Sequence, residues 1–140
     1  MTSATQGSAG LAESYAAALF ELAETDGALD GTAAQLQQIQ QLIQSSSDLE
    51  RMIRSPVISR EDQRRAIDAV LARVGSGDLV RRFVGLVAHN RRLYELPRMI
   101  AAFAKRLAAR RGETTAEVTS ATPLSNEQRG AIAGALNTGA

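Results

Sequence analysis

The sequence predicts an all-α protein. A six-helix N-terminal bundle covers residues 11–112, the truncated start of a small α/β C-terminal domain covers 113–140, and residues 1–10 form a flexible tail. Three observations carry this. Apolar residues recur at helical spacing in successive stretches. Capping or breaking residues bound each stretch. After Gly112 the pattern turns to β-rich alternation, too short to build a sheet by itself.

Element by element, the start "MTSATQGSAG" is small and polar, as chain ends often are. A first helix runs from about Leu11 to Asp26 and stops near Gly27. A second runs from about Gly31 to Gln44, with Leu36, Ile39, Leu42 and Ile43 at helical spacing. In "SSSDLERMIRSP", Ser47 followed three residues later by Glu50 reads as a capping box that opens a short third helix. Pro56 ends that helix by pushing Ser55 out of the helical region. Ser59 caps the fourth, and Glu61 and Asp62 suit its positive start. Its stripe is Ala66, Ile67, Val70, Leu71 and Val74, and Gly75 to Gly77 close it.

The fifth helix covers about Asp78 to Asn90. "NRRLYELP" breaks it, and Pro97 fits the first turn of a sixth from about Leu96 to Arg111, ending at Gly112. Thr114 to Ala121 reads as a strand. Ser125 and Gln128 form a second capping box, opening a helix weakened by Gly130 and Gly134. On this pattern the chain stops inside its second domain.

Composition narrows the chemistry. There is no cysteine, which removes disulfides, thiolate metal sites and cysteine nucleophiles. No apolar run is long enough to span a membrane, and the first dozen residues lack the basic and apolar regions of a secretory signal. The one histidine, His89, has no convergent partners in the sequence pattern. Gly75 and Gly77 lack the strand, helix and lysine of a phosphate loop. The reading assigns no catalytic, cofactor-binding or metal residue and no cofactor.

Charge is unevenly placed. Residues 1–50 hold seven acids and no Lys or Arg, while residues 51–111 hold fifteen bases and five acids. Two readings follow: acidic helices beside basic ones within one bundle, or an anion-binding face such as a helical RNA-binding module would carry. The doublets Arg81–Arg82, Arg91–Arg92 and Arg110–Arg111 suit the second reading. An aromatic content of 4% argues against it, since single strands need stacking platforms.

The helix faces are more informative. Projected at 100° per residue, the first helix carries Leu11, Tyr15, Ala18, Leu19 and Leu22, continued by Ala12, Ala16, Phe20 and Ala23, over roughly 200°. In the fifth, Leu79, Val80, Phe83, Val84, Leu86, Val87 and Ala88 cover a similar arc of about 200°, with Asn90 inside it. The sixth occupies only about 140°, and a surface helix needs little more than about 100°. Either the first and fifth helices are central in their own domain, or part of each arc lines a groove for a partner's amphipathic helix.

Four segments in order, "SYAAALFELA", "SSSDLERMIRSPVIS", "LVAHNRRLYELPRMIAAF" and "AEVTSATPLS", resemble the δ subunit family of the rotary ATP synthase, the bacterial counterpart of the oligomycin-sensitivity-conferring protein. The resemblance covers nearly the whole chain. It implies a six-helix N-terminal domain, a smaller α/β C-terminal domain, and a non-catalytic stator role. The implied partners are the N-terminal helix of an α subunit, held between the first and fifth helices, and the b subunits of the peripheral stalk, held by the C-terminal domain. No nucleic acid and no direct membrane insertion are implied. The implied place is peripheral, at the cytoplasmic face of the bacterial inner membrane. Carried over by position, the groove residues are Tyr15, Ala18, Leu19 and Leu22 with Phe83, Leu86, Val87 and Asn90.

Overall fold

The computed structural model describes residues 8–121 as backbone, and side chains from residue 10 to 113. Six α-helices follow one another: α1 (Ser8–Thr25), α2 (Leu29–Ser45), α3 (Ser47–Arg54), α4 (Arg60–Val74), α5 (Asp78–His89) and α6 (Leu96–Ala121), with a 3-10 turn at Leu93–Glu95 leading into α6. Among the described residues there is no strand, and no helix is long and apolar enough to cross a membrane. The chain divides into two compact units, residues 1–107 and 108–140; the first contains the bundle core.

The corners are made by local chemistry. At the end of α1, Gly27 takes φ 65° and the Ala28 N–H donates to the Ala23 carbonyl at 2.7 Å, a left-handed turn that glycine enters without penalty. Gly75 closes α4 in the same way at φ 71°. Ser59 Oγ accepts from the Asp62 N–H at 3.1 Å and caps α4. At the start of α5, the Gly77 N–H donates to Gln35 Oε1 at 2.8 Å, so α2 anchors the residue just before the helix, although no side chain caps the amides of its first turn.

The core draws on every helix. Ala16, Leu19, Phe20 and Ala23 of α1 meet Leu36, Ile39 and Ile43 of α2, Ile53 of α3, Ile67 and Leu71 of α4, Val80, Val84 and Val87 of α5, and Leu96, Met99 and Phe103 of α6 in one buried cluster. Phe20 and Phe103 lie with ring centres 5.5 Å apart at 55°, tying α1 to α6.

A polar staple joins two corners far apart in sequence. Arg91 sits at φ 59°, unusual for a residue with a side chain. Its guanidinium donates to the carbonyls of Ile58 (2.9 Å) and Pro56 (3.3 Å) and to Gln63 Oε1 (3.3 Å). Buried Gln63 in turn donates through Nε2 to the carbonyls of Met52 (3.0 Å) and Ser55 (3.2 Å). The loop between α3 and α4 is thus fixed to the end of α5, and the carbonyls of Ser55, Pro56 and Ile58 find donors.

Several expectations need correction. The cap of α3 is Ser46, whose Oγ accepts from the Leu49 N–H at 3.2 Å, and Glu50 instead reaches Arg54 within the helix. Ser47 is already helical because Ser46 holds the extended conformation (φ −129°, ψ 107°) that a cap requires. Helix α6 does not stop at Gly112, and the expected strand at Thr114 to Ala121 is helical. Once a helix exists, each added residue costs little, so one glycine and a few β-branched residues do not end it. Of the expected tail, residues 8–10 belong to α1. The last helix expected after Ser125, and the remainder of the α/β domain, lie outside the described residues.

Candidate functional site

The wide apolar arc of α1 splits into two edges. Ala12, Ala16, Leu19, Phe20 and Ala23 are buried, whereas Ala18 is exposed and Leu22 is 55% exposed. In α5, Val80, Val84, Val87 and Ala88 are buried, Leu79 and Phe83 are half-buried, and Leu86 is 53% exposed. The arcs exceed what the core covers because each helix serves two surfaces. The inner edge packs the bundle, and the outer edge faces an open furrow between α1 and α5.

That furrow encloses about 430 Å³ and is lined by Ser14, Tyr15, Ala18, Leu19 and Leu22 from α1 and by Leu79, Arg82, Phe83 and Leu86 from α5. Its walls are almost wholly apolar. Tyr15 and Phe83 meet edge to face across it, with ring centres 6.4 Å apart. Asn90 Nδ2 donates to Tyr15 Oη at 2.9 Å, bridging α1 and the end of α5. Ala18 keeps one wall low between these aromatics and Leu22.

Of the eight residues named from sequence, Tyr15, Ala18, Leu19, Leu22, Phe83 and Leu86 line the furrow. Leu19 forms its floor, being 1% exposed while still lining it. Val87 does not line it: at 0% exposure it faces the core, one helical step from Leu86. Asn90 is not part of the lining and its amide is engaged by Tyr15. Sequence reasoning missed Ser14, Leu79 and Arg82. Leu79 stood within the apolar arc, whereas the polar Ser14 and Arg82 gave no signal in a search for apolar faces.

The arginine doublets do not form a bare basic stripe. Asp78 is shared by Arg82 (3.1 Å) and Arg81 (3.8 Å), Arg64 pairs with Asp68 (3.0 Å), and Arg91 is spent on the loop staple.

These features define an all-helical bundle with an open apolar groove on its surface. Comparison with known proteins narrows that class to one family. The family profile of the ATP synthase delta (OSCP) subunit matches residues 11–139, and the chain belongs to this family. It is 56% identical over 135 residues to ATP synthase subunit delta of Rhodospirillum centenum, covering 95% of this chain and 73% of that one. Against ATP synthase subunit delta of Rhodospirillum rubrum it is 49% identical over 137 residues, covering 98% and 74%. Against that of Parvibaculum lavamentivorans it is 50% identical over 127 residues, covering 91% and 66%.

Proposed function

We propose that this chain is a non-catalytic stator subunit that keeps the catalytic head of a rotary ATP synthase from turning with the rotor. In this reading the furrow between α1 and α5 receives the N-terminal helix of an α subunit. The N-terminal domain, residues 11–112, makes this contact, and the part from residue 113 onward belongs to the side that meets the b subunits of the peripheral stalk. The complex holds the chain peripherally at the cytoplasmic face of the bacterial inner membrane.

The observation that carries the proposal is the open furrow with Leu22 and Leu86 about half exposed on its two walls. Apolar surface kept in water is costly, and an amphipathic helix is the shape that covers a groove between two helices. The mechanism asked of such a contact is mechanical. Torque generated inside the head reaches its outer surface, and the joint there must not slip. An apolar contact resists salt and is held by slow dissociation, both useful in a permanent joint. The helical RNA-binding alternative finds little support: Arg91 is spent on the loop staple, and Asp78 offsets one of the two charges of Arg81 and Arg82, so only one net positive charge remains there, short of a phosphate-binding stripe.

Calorimetric titration with a synthetic peptide of the α subunit's N-terminus tests this. A large negative heat-capacity change, and an affinity that shifts only a few-fold between about 0.1 and 0.5 M salt, is expected of apolar burial. An affinity falling steeply with salt, as phosphate binding does, contradicts the reading.

A further inference from the structure

The two walls of the furrow differ in charge. Helix α1 carries three glutamates and no basic residue; Glu13 is paired with Arg106 of α6 at 3.6 Å, and Glu21 is the one at the furrow edge. Glu21 stands seven residues, about two turns, beyond Ser14, and so on the same outer edge of the helix; it is exposed. On the opposite wall Arg82 lines the furrow itself. The single carboxylate of Asp78 serves both Arg81 and Arg82, so the edge of α5 keeps one positive charge uncompensated. An apolar trough therefore runs between an acidic rim on α1 and a basic rim on α5.

We infer that the furrow selects an amphipathic helix whose two flanks carry opposite charge, basic residues along the Glu21 rim and acidic residues along the Arg82 rim. This rests on the furrow reading above and deepens it. The apolar stripe supplies most of the affinity. The rims discriminate among helices that share a stripe, because a like charge held at either rim is repelled. They also fix the direction of the occupant, since reversing a helix in the trough exchanges its flanks.

Three synthetic helical peptides test the inference, each about 18 residues long and so about 27 Å as a helix. All carry the same Leu/Ile/Ala stripe. One has lysines on one flank and glutamates on the other, one has glutamates on both, and one has lysines on both. Their dissociation constants are measured by calorimetry on the whole chain at low salt. The mixed peptide should bind about three- to ten-fold more tightly than either of the others, the size expected of a few exposed ion pairs. Arg82→Glu should move the preference to the all-lysine peptide, and Glu21→Lys to the all-glutamate one. Both positions are exposed, and the ranking on the unmodified chain decides the matter even where a variant folds poorly. Equal affinities, or a preference for a single-sign peptide on the unmodified chain, overturn the rim inference while leaving the furrow reading intact. Failure of all three peptides together with the α-subunit peptide overturns both.

Discussion

Truncating the two exposed furrow leucines separates affinity from stability in a way the alternative of a purely internal role does not allow. Leu22 and Leu86 are 55% and 53% exposed in the isolated chain. Full burial of a leucine side chain contributes about 1.5–3 kcal/mol, so covering the exposed half of each contributes about 1 kcal/mol. Leu22→Ala and Leu86→Ala should each weaken binding of the α-subunit N-terminal peptide about five-fold, and the pair about thirty-fold if the effects add. Ala18→Asp should do more, since a carboxylate on that wall must be stripped of water under the occupant, a cost of several kcal/mol, or over about a hundred-fold. The folded chain loses little in each case because these positions face solvent. Val87→Ala is the counterpart: it is fully buried, so it should lower stability by about 1–3 kcal/mol while changing affinity little. The assay is calorimetric titration alongside thermal melts of each variant. Leu22→Ala and Leu86→Ala proteins that melt normally and bind within about two-fold of the parent would refute the reasoning, since a five-fold loss was due from each.

Other variants probe the fold that positions the furrow. Ser46→Ala should cost about 1 kcal/mol through loss of the α3 cap, whereas Ser47→Ala should be nearly neutral; the reverse order in urea titrations would place the cap at Ser47. Arg91→Ala should cost about 2–3 kcal/mol, because it leaves Gln63 Oε1 and two loop carbonyls without their charged donor, and a fall in midpoint of less than a few degrees would show that water replaces the staple at no cost. Gly85→Ala should stabilise by up to about 0.5 kcal/mol: helix propensity gains, while the added Cβ meets only the end of the Arg64 side chain at 3.1 Å, which has room to swing away, and a clear loss in thermal melts would mean that Arg64 is held more firmly than an exposed arginine should be.

Most of the bundle was legible because its signals are local. Caps, glycine stops and stripe periodicity reflect backbone chemistry within a few residues, so α2, α4 and α5 begin and end close to where the residues imply. The failures also have local causes. A run of Ser45, Ser46 and Ser47 offers three equivalent oxygens, and only the backbone angles choose among them. Gly112 resembles the stops at Gly27 and Gly75, yet those two have left-handed angles and Gly112 does not. The residue type permits a stop without requiring one, and the helix downstream decides. The strand reading of Thr114 to Ala121 failed for a related reason: β propensity is largely a packing preference, and among the described residues no strand lies alongside for it to act through.

The furrow was legible in outline because excess apolar arc is itself a local quantity; which edge of the arc faces outward is not. Leu86 and Val87 are chain neighbours, both apolar, and about 100° apart on the helix, yet one is half exposed and the other sealed. The choice between them is made by α4 and α2, which pack against α5 and leave Val80, Val84 and Val87 in the core, and no pattern within α5 encodes their approach. The same logic explains Tyr15 and Asn90. Each was a groove candidate taken alone, but seventy-five positions apart they bond to one another. That bond ties α1 to the end of α5, and with the aromatic pair it holds the two walls at a fixed separation. A groove held open by its own polar and aromatic cross-braces need not rearrange to admit a helix. Less ordering then opposes binding, and more of the apolar gain appears as affinity.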